Sequence, residues 1–112
     1  MDAEVRRFND VEHFMEGEEH CRSYFKTAKL SFGTSTLMPG KNGTVDPGHK
    51  EGEEVFYVCR GRILLYLPST KKYRELGEGD AIIIPPGEPH QLYNPYPDIA
   101  VVCWCLSPPD RL

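Results

Sequence analysis

The sequence predicts an all-β domain, a sandwich or barrel of short strands, on three observations. Ten Gly and ten Pro are spread along only 112 residues, punctuation that suits many strands joined by tight turns. From Tyr24 onward the stretches between those breaks are short, apolar or alternating, and rich in Val, Ile, Tyr and Phe. The length fits one domain with a real core and little room for a second.

Taken in order, the first 23 residues are the least regular. Asn9 or Asp10 can cap a short helix running to about Glu16, with Val11 and Phe14 facing inward. Residues 1–23 are therefore expected to form an arm or short helix packed on a barrel of residues 24–112. The expected strands begin with Tyr24–Ser31, Gly33–Leu37, Thr44–Lys50 and Val55–Cys59. They continue with Arg62–Leu67, Tyr73–Leu76, Ala81–Pro85, His90–Tyr93 and Ile99–Leu106. Turn chemistry separates them, as at Pro39-Gly40, Arg60-Gly61, Gly77-Glu78-Gly79-Asp80 and Pro86-Gly87.

Two strands, Ile63–Leu67 and Ala81–Ile84, are apolar on both faces, whereas an antiparallel strand with one wet face alternates. The second face is expected to be covered, in a homodimer or, failing that, by residues 1–23 folded over a monomer.

The net charge is -4 and the basic residues are scattered, so a nucleic-acid partner is not expected. No apolar run reaches the roughly 18 residues of a membrane span. The acidic, polar start Met1-Asp2-Ala3-Glu4 is unlike a secretory signal, which points to a cytosolic protein. Cys21, Cys59, Cys103 and Cys105 are expected as free thiols in packed or interface positions. Cys103 and Cys105 share one strand face with side chains running side by side, and no second Cys or His cluster is spaced to complete a metal site with them.

The most specific signal runs from Gly79 to Asn94. Gly79, Pro85, Gly87, His90 and Asn94 occupy the five fixed positions of the second cupin motif, in which a buried strand meets a Pro-Gly turn that delivers a histidine. The first cupin motif is partly present between Gly43 and Gly61. Glu54 and Gly61 have the right separation, but one histidine stands where the family has two. Counting back from Glu54 makes His49 the second histidine, with Pro47 in place of the first. Counting forward from Gly43 makes His49 the first, with Glu51 in place of the second. The chain thus resembles a small single-domain cupin over roughly Tyr24 to Pro109. That resemblance implies a double-stranded β-helix, or jelly-roll, barrel and makes His49, Glu54 and His90 the family-equivalent ligand candidates.

Considered by chemistry alone, His49, Glu54 and His90 pointing inward would make a two-histidine, one-carboxylate set with open positions. Such a set suits Fe, Zn, Mn or Ni as a divalent ion. Asp46, Glu51 or water is available as a fourth ligand, and Glu51 or Glu53 as an acid/base group. By alternation Phe56 and Val58 share the inward face of Glu54, while Gln91, Tyr93 and Trp104 are candidates for the mouth. His13 and His20 lie outside both motifs. The expected function is that of a metal-dependent enzyme of isomerase, lyase or dioxygenase type acting on a small polar metabolite. The alternative is a non-catalytic barrel that binds a sugar or another small effector.

Overall fold

The computed structural model describes residues 2–110. Its nine strands are β1 (Glu12–Glu16), β2 (Glu19–Lys26), β3 (Ser31–Leu37), β4 (Glu53–Arg60), β5 (Arg62–Leu67), β6 (Lys72–Gly77), β7 (Ala81–Ile84), β8 (Gln91–Tyr93) and β9 (Ala100–Ser107). All neighbouring pairs are antiparallel. They form a six-stranded sheet of order β1-β2-β3-β9-β4-β7 and a three-stranded sheet of order β6-β5-β8. The result is a jelly-roll sandwich. Among the described residues no helix is long and apolar enough to cross a membrane.

Alternation sorts the side chains between the sheets. On β4, Glu54, Phe56 and Val58 are buried while Val55, Tyr57 and Cys59 face out, as their spacing predicts. Leu37, Ile63, Leu65, Leu76, Ile84, Leu92, Ala100 and Val102 complete the core around Phe56 and Val58. Val58, Ile63 and Leu65 lose all contact with solvent, so each is worth about 1.5–3 kcal/mol of transfer free energy to the fold.

Three expectations need correction. Residues from Asn9 or Asp10 to Glu16 do not form a helix; Glu12–Glu16 is a strand that turns back at Gly17-Glu18 into β2. Glu16 pairs with Glu19 across this two-residue loop, whose Gly17 has φ 60, a conformation that favours a hairpin over a helix. This hairpin extends the edge of the six-stranded sheet beside β3, and before it Arg6 and Phe8 pack on Phe25 and Arg22 of β2. Thr44–Lys50 is not a strand either. It is an extended loop tied down by isolated bridges, Asn42 to Tyr93 and Asp46 to His90. The break expected at Phe32 lies earlier, at Thr27–Leu30, where the Thr27 hydroxyl accepts from the Lys29 and Leu30 amides.

Asn94, the last fixed position of the second motif, is structural. It is wholly buried, and its side chain donates to the Leu37 and Asp98 carbonyls and accepts from the Tyr96 amide. It thereby satisfies the backbone where the chain leaves β8.

Candidate functional site

The loop between β3 and β4 and the turn before β8 meet at one end of the sandwich. The bridge between Asp46 and His90 exchanges both backbone bonds, at 2.8 and 3.0 Å. The Gly87 amide donates to the His49 carbonyl at 2.7 Å. Gly48 sits at φ 99 with its α-carbon turned towards Gly87, so a side chain there would meet the Gly87 carbonyl carbon at 2.8 Å. Its amide donates to Asp46 Oδ1 at 2.9 Å, which orients that carboxylate. These backbone contacts bring together residues more than thirty positions apart.

Four ligand-type atoms converge as a result. Glu54 Oε1 lies 3.1 Å from His49 Nε2 and 2.9 Å from His90 Nε2. Asp46 Oδ2 lies 3.5 and 3.7 Å from the same two nitrogens. All four lie within 4.8 Å of one another. The far nitrogen of each ring is already engaged: His90 Nδ1 donates to the Glu88 carbonyl at 3.0 Å, and His49 Nδ1 meets Asp110 Oδ2 at 2.7 Å. A ring held in this way at Nδ1 presents the Nε2 lone pair to a cation, the usual arrangement behind a metal-bound histidine.

The electrostatics lead to the same point. The hydrogen bond to Glu54 pushes His49 up to about 9, against the opposing effect of burial. Burial would lower His90, but its bonds to Glu54 and the Glu88 carbonyl more than offset that and raise it. Burial would raise Glu54, yet the two histidines hold it below the usual carboxylate range. In the metal-free chain, protons on the two rings supply the positive charge that the buried carboxylate requires.

The cluster opens on a cavity of about 140 Å³ with apolar walls that include Phe14, Phe56, Leu92, Trp104 and Leu106. Phe56 packs edge-on to His90 at 5.6 Å. Trp104 spans both expected roles, since it packs against the core and also lines the cavity. Gln91 lines it too and is held by a 2.8 Å bond to the Gly43 carbonyl; Tyr93 is not among the lining residues.

The structure therefore brings His49, Glu54 and His90 together with Asp46. It does not bring Glu51 or Glu53 to them. Glu53 is exposed on the face of β4 opposite Glu54, and exposed Glu51 borders a separate recess with Lys50 and Asp110. His13 and His20 meet each other at 3.2 Å on the exposed β1–β2 hairpin, away from the cavity lining. Sequence reasoning missed Glu16, Glu19 and Cys21, which come from that hairpin and line the cavity. Their signal was the Gly17-Glu18 turn, which makes Glu16 and Glu19 direct cross-strand neighbours.

Comparison with known proteins agrees with this architecture. The Cupin domain family model matches residues 33–106. An uncharacterised protein of Methanocaldococcus jannaschii is 34% identical over 70 residues, which make up 62% of this chain and 54% of that protein. The chain thus spans about half the length of that relative. KdgF from Halomonas sp. superposes with a TM-score of 0.79 at 20% identity, covering 96% of each chain. The polyketide cyclase RemF from Streptomyces resistomycificus gives 0.75 at 24% identity, over 97% of this chain and 81% of its own. At these identities the two superpositions speak for the fold alone.

Proposed function

The chain belongs to the cupin family, and on that premise we propose that its cavity is a divalent-metal site acting on a small polar metabolite. His49, Glu54 and His90 would hold the ion, with Asp46 as the fourth protein ligand. The observation that carries this reading is the convergence of two Nε2 atoms and two carboxylate oxygens, with both Nδ1 atoms already engaged. Mixed nitrogen and oxygen donors suit Fe, Zn, Mn or Ni. When bound, the ion supplies Lewis acidity toward a carbonyl or hydroxyl group. The chain's own part is to orient the ligand between Trp104 and Phe56, offer Gln91 as a polar contact, and keep bulk water from the apolar walls. Isomerase, lyase and dioxygenase chemistry all fit such a site. The reading also places the protein in the cytosol, where its four free thiols would stay reduced.

The test is metal analysis of tag-free protein after reconstitution with each of the four ions. Near one equivalent per chain is expected for at least one of them. Less than about a tenth of an equivalent for all four, at micromolar free metal, would sink the metalloenzyme reading. A second reading, a non-catalytic barrel binding a sugar or another effector, is favoured by the single histidine of the first motif. Tight ligand binding without turnover supports it, and turnover of any substrate removes it.

The molecule we propose is a homodimer through the outer face of the six-stranded sheet. There Phe32, Cys105, Val55 and Ile83 form one cross-strand row, and Thr34, Cys103, Tyr57 and Ala81 the next. Val55, Tyr57 and Ile83 are 38%, 44% and 56% exposed, a contiguous apolar patch of the kind that a second copy covers. Sedimentation at tens of micromolar is expected to give a dimer that Ile83→Lys converts to monomer; a wild-type monomer rules the dimer out.

A further inference from the structure

We propose that the end of the cavity built by Glu16 and Glu19 binds an uncharged, hydroxyl-bearing ligand, and that Glu19 is the group that exchanges a proton with it. This rests on the reading of the cavity as a small-molecule site. It also fills the acid/base role for which Glu51 and Glu53 lie outside the cavity.

Glu19 is an unusual residue to find where it is. It is only 7% exposed, on a strand that lines the cavity, and among the described residues no Lys, Arg or His pairs with it. A carboxylate buried without a cation costs several kcal/mol, so such a group is normally paired or protonated. Its hydrogen-bond partner is a weak neutral donor. The Cys21 thiol reaches Oε2 at 3.3 Å and lies 3.5 Å from the Ser35 hydroxyl. Ser35 in turn accepts from Trp104 Nε1 at 3.1 Å, which leaves its own hydrogen free to be donated. Gly43 leaves room for the carboxyl, since a side chain there would meet Glu19 Oε1 at 3.0 Å.

The surroundings select the ligand by charge. Of the fourteen lining residues, four are carboxylates and two are histidines, and none is Lys or Arg. The histidines are bonded to Glu54, and their charge reaches Glu16. A carboxylate or phosphate beside Glu19 would face two acidic groups and no Lys or Arg. A hydroxyl can donate to either oxygen and accept from a protonated Glu19, while Trp104, Phe14 and Phe56 cover the ligand's apolar frame. The groups facing Glu19 are Glu16 from β1, Cys21 on its own strand and Glu54 from β4, with neutral Ser35 from β3 and Trp104 from β9. Burial, reinforced by the charges of Glu16 and Glu54, pushes its carboxyl up to about 7, where both protonation states are populated at neutral pH. In the transfer, the O–H bond of a ligand hydroxyl breaks as an O–H bond forms on the Glu19 carboxylate. The electron pair of the broken bond stays on the ligand oxygen.

Two matched probe pairs test the ligand class: D-glucose against D-glucuronate, and catechol against 3,4-dihydroxybenzoate. Binding is measured by calorimetry on the full chain, both metal-loaded and after chelation. At least one uncharged member is expected to bind about tenfold or more tighter than its carboxylate partner in both forms. Glu19→Ala, its fold checked by circular dichroism, is expected to weaken that uncharged probe about fivefold to tenfold while metal content is retained. Equal or tighter binding of the carboxylates overturns the proposal. So does failure of both uncharged probes to bind at about 10 mM, or unchanged binding in Glu19→Ala. The proton role has its own readout in the side-chain ¹³C carboxyl resonance of Glu19, assigned by its loss in Glu19→Gln. A midpoint near 7 is expected; one below about 5 removes that role. Because the probes are compared on chelated protein as well, failure of the metal reading leaves this result standing, and the reverse also holds.

Discussion

Replacing His90 with Ala is expected to drop metal occupancy from near one equivalent to below about a tenth at micromolar free metal, a loss of more than 100-fold in affinity. His90 is 3% exposed, supplies one of the only two nitrogens in the cluster, and has its ring fixed by the Glu88 carbonyl and the edge of Phe56. The substitution removes this donor without cutting the backbone bridge to Asp46, so the loop geometry is retained. Asp110→Ala is the graded companion. It acts only through His49 Nδ1 and is expected to cost about 10–100-fold. Equal occupancy in wild type and His90→Ala, by metal analysis of matched preparations, would place the ion elsewhere.

The same cluster predicts opposite pH trends for the metal-free and metal-loaded protein. His49 is raised from 6.5 to about 9, and His90 is raised as well, so their contribution to metal-free stability is complete below about pH 6.5. It is lost as pH rises through about 9 for His49. Glu54 is lowered from 4.5, so its contribution is present above that value and lost as pH falls through its folded value. Stability from this cluster is thus greatest between about 4.5 and 6.5 in the absence of metal. Metal must displace the ring protons, so metal affinity rises over the range in which the metal-free chain weakens. Denaturation and metal titration at pH 6 and 9 check the two signs; parallel trends would contradict the assignment.

Gly33→Val is expected to cost about 3 kcal/mol or more, a fall of more than about 12 °C in the melting temperature. Gly33 is buried at the middle of β3, opposite Trp104 on β9 and Ser23 on β2. A side chain at this position would overlap the Arg22 carbonyl oxygen and the Trp104 ring. Neither can withdraw without cost, since one belongs to the β2–β3 ladder and the other is held by its bond to Ser35. Trp104 is the single tryptophan, so its fluorescence reports both the unfolding transition and any displacement of the cavity wall. A loss below about 1 kcal/mol in urea would mean that the ring moves freely and that this wall is soft.

Much of this was legible along the chain. Period-two alternation put Glu54, Phe56 and Val58 on one side of β4, because successive side chains of a strand must point to opposite faces. The spacing of Gly79, Pro85, Gly87, His90 and Asn94 identified the turn that presents His90, because a Pro-Gly pair constrains the backbone locally. His49, Glu54 and His90 could be named for the same reason: each is tied to a local motif.

What only the tertiary structure decided depends on contacts between distant segments. Asp46, and not Glu51, became the fourth member of the cluster because its backbone pairs with His90. That pairing is a choice between loops, which no local pattern encodes. Glu53 lost its place in the cavity by one residue of strand phase, since a single step along β4 moves a side chain to the opposite face. Residues 9–16 satisfied helix-capping rules, yet Glu12–Glu16 became a strand because the edge of β2 offered backbone partners and the Gly17 turn closed the hairpin. That hairpin carries Glu16, Glu19 and Cys21 into the cavity, so this polar end of it arose from sheet pairing and not from either motif.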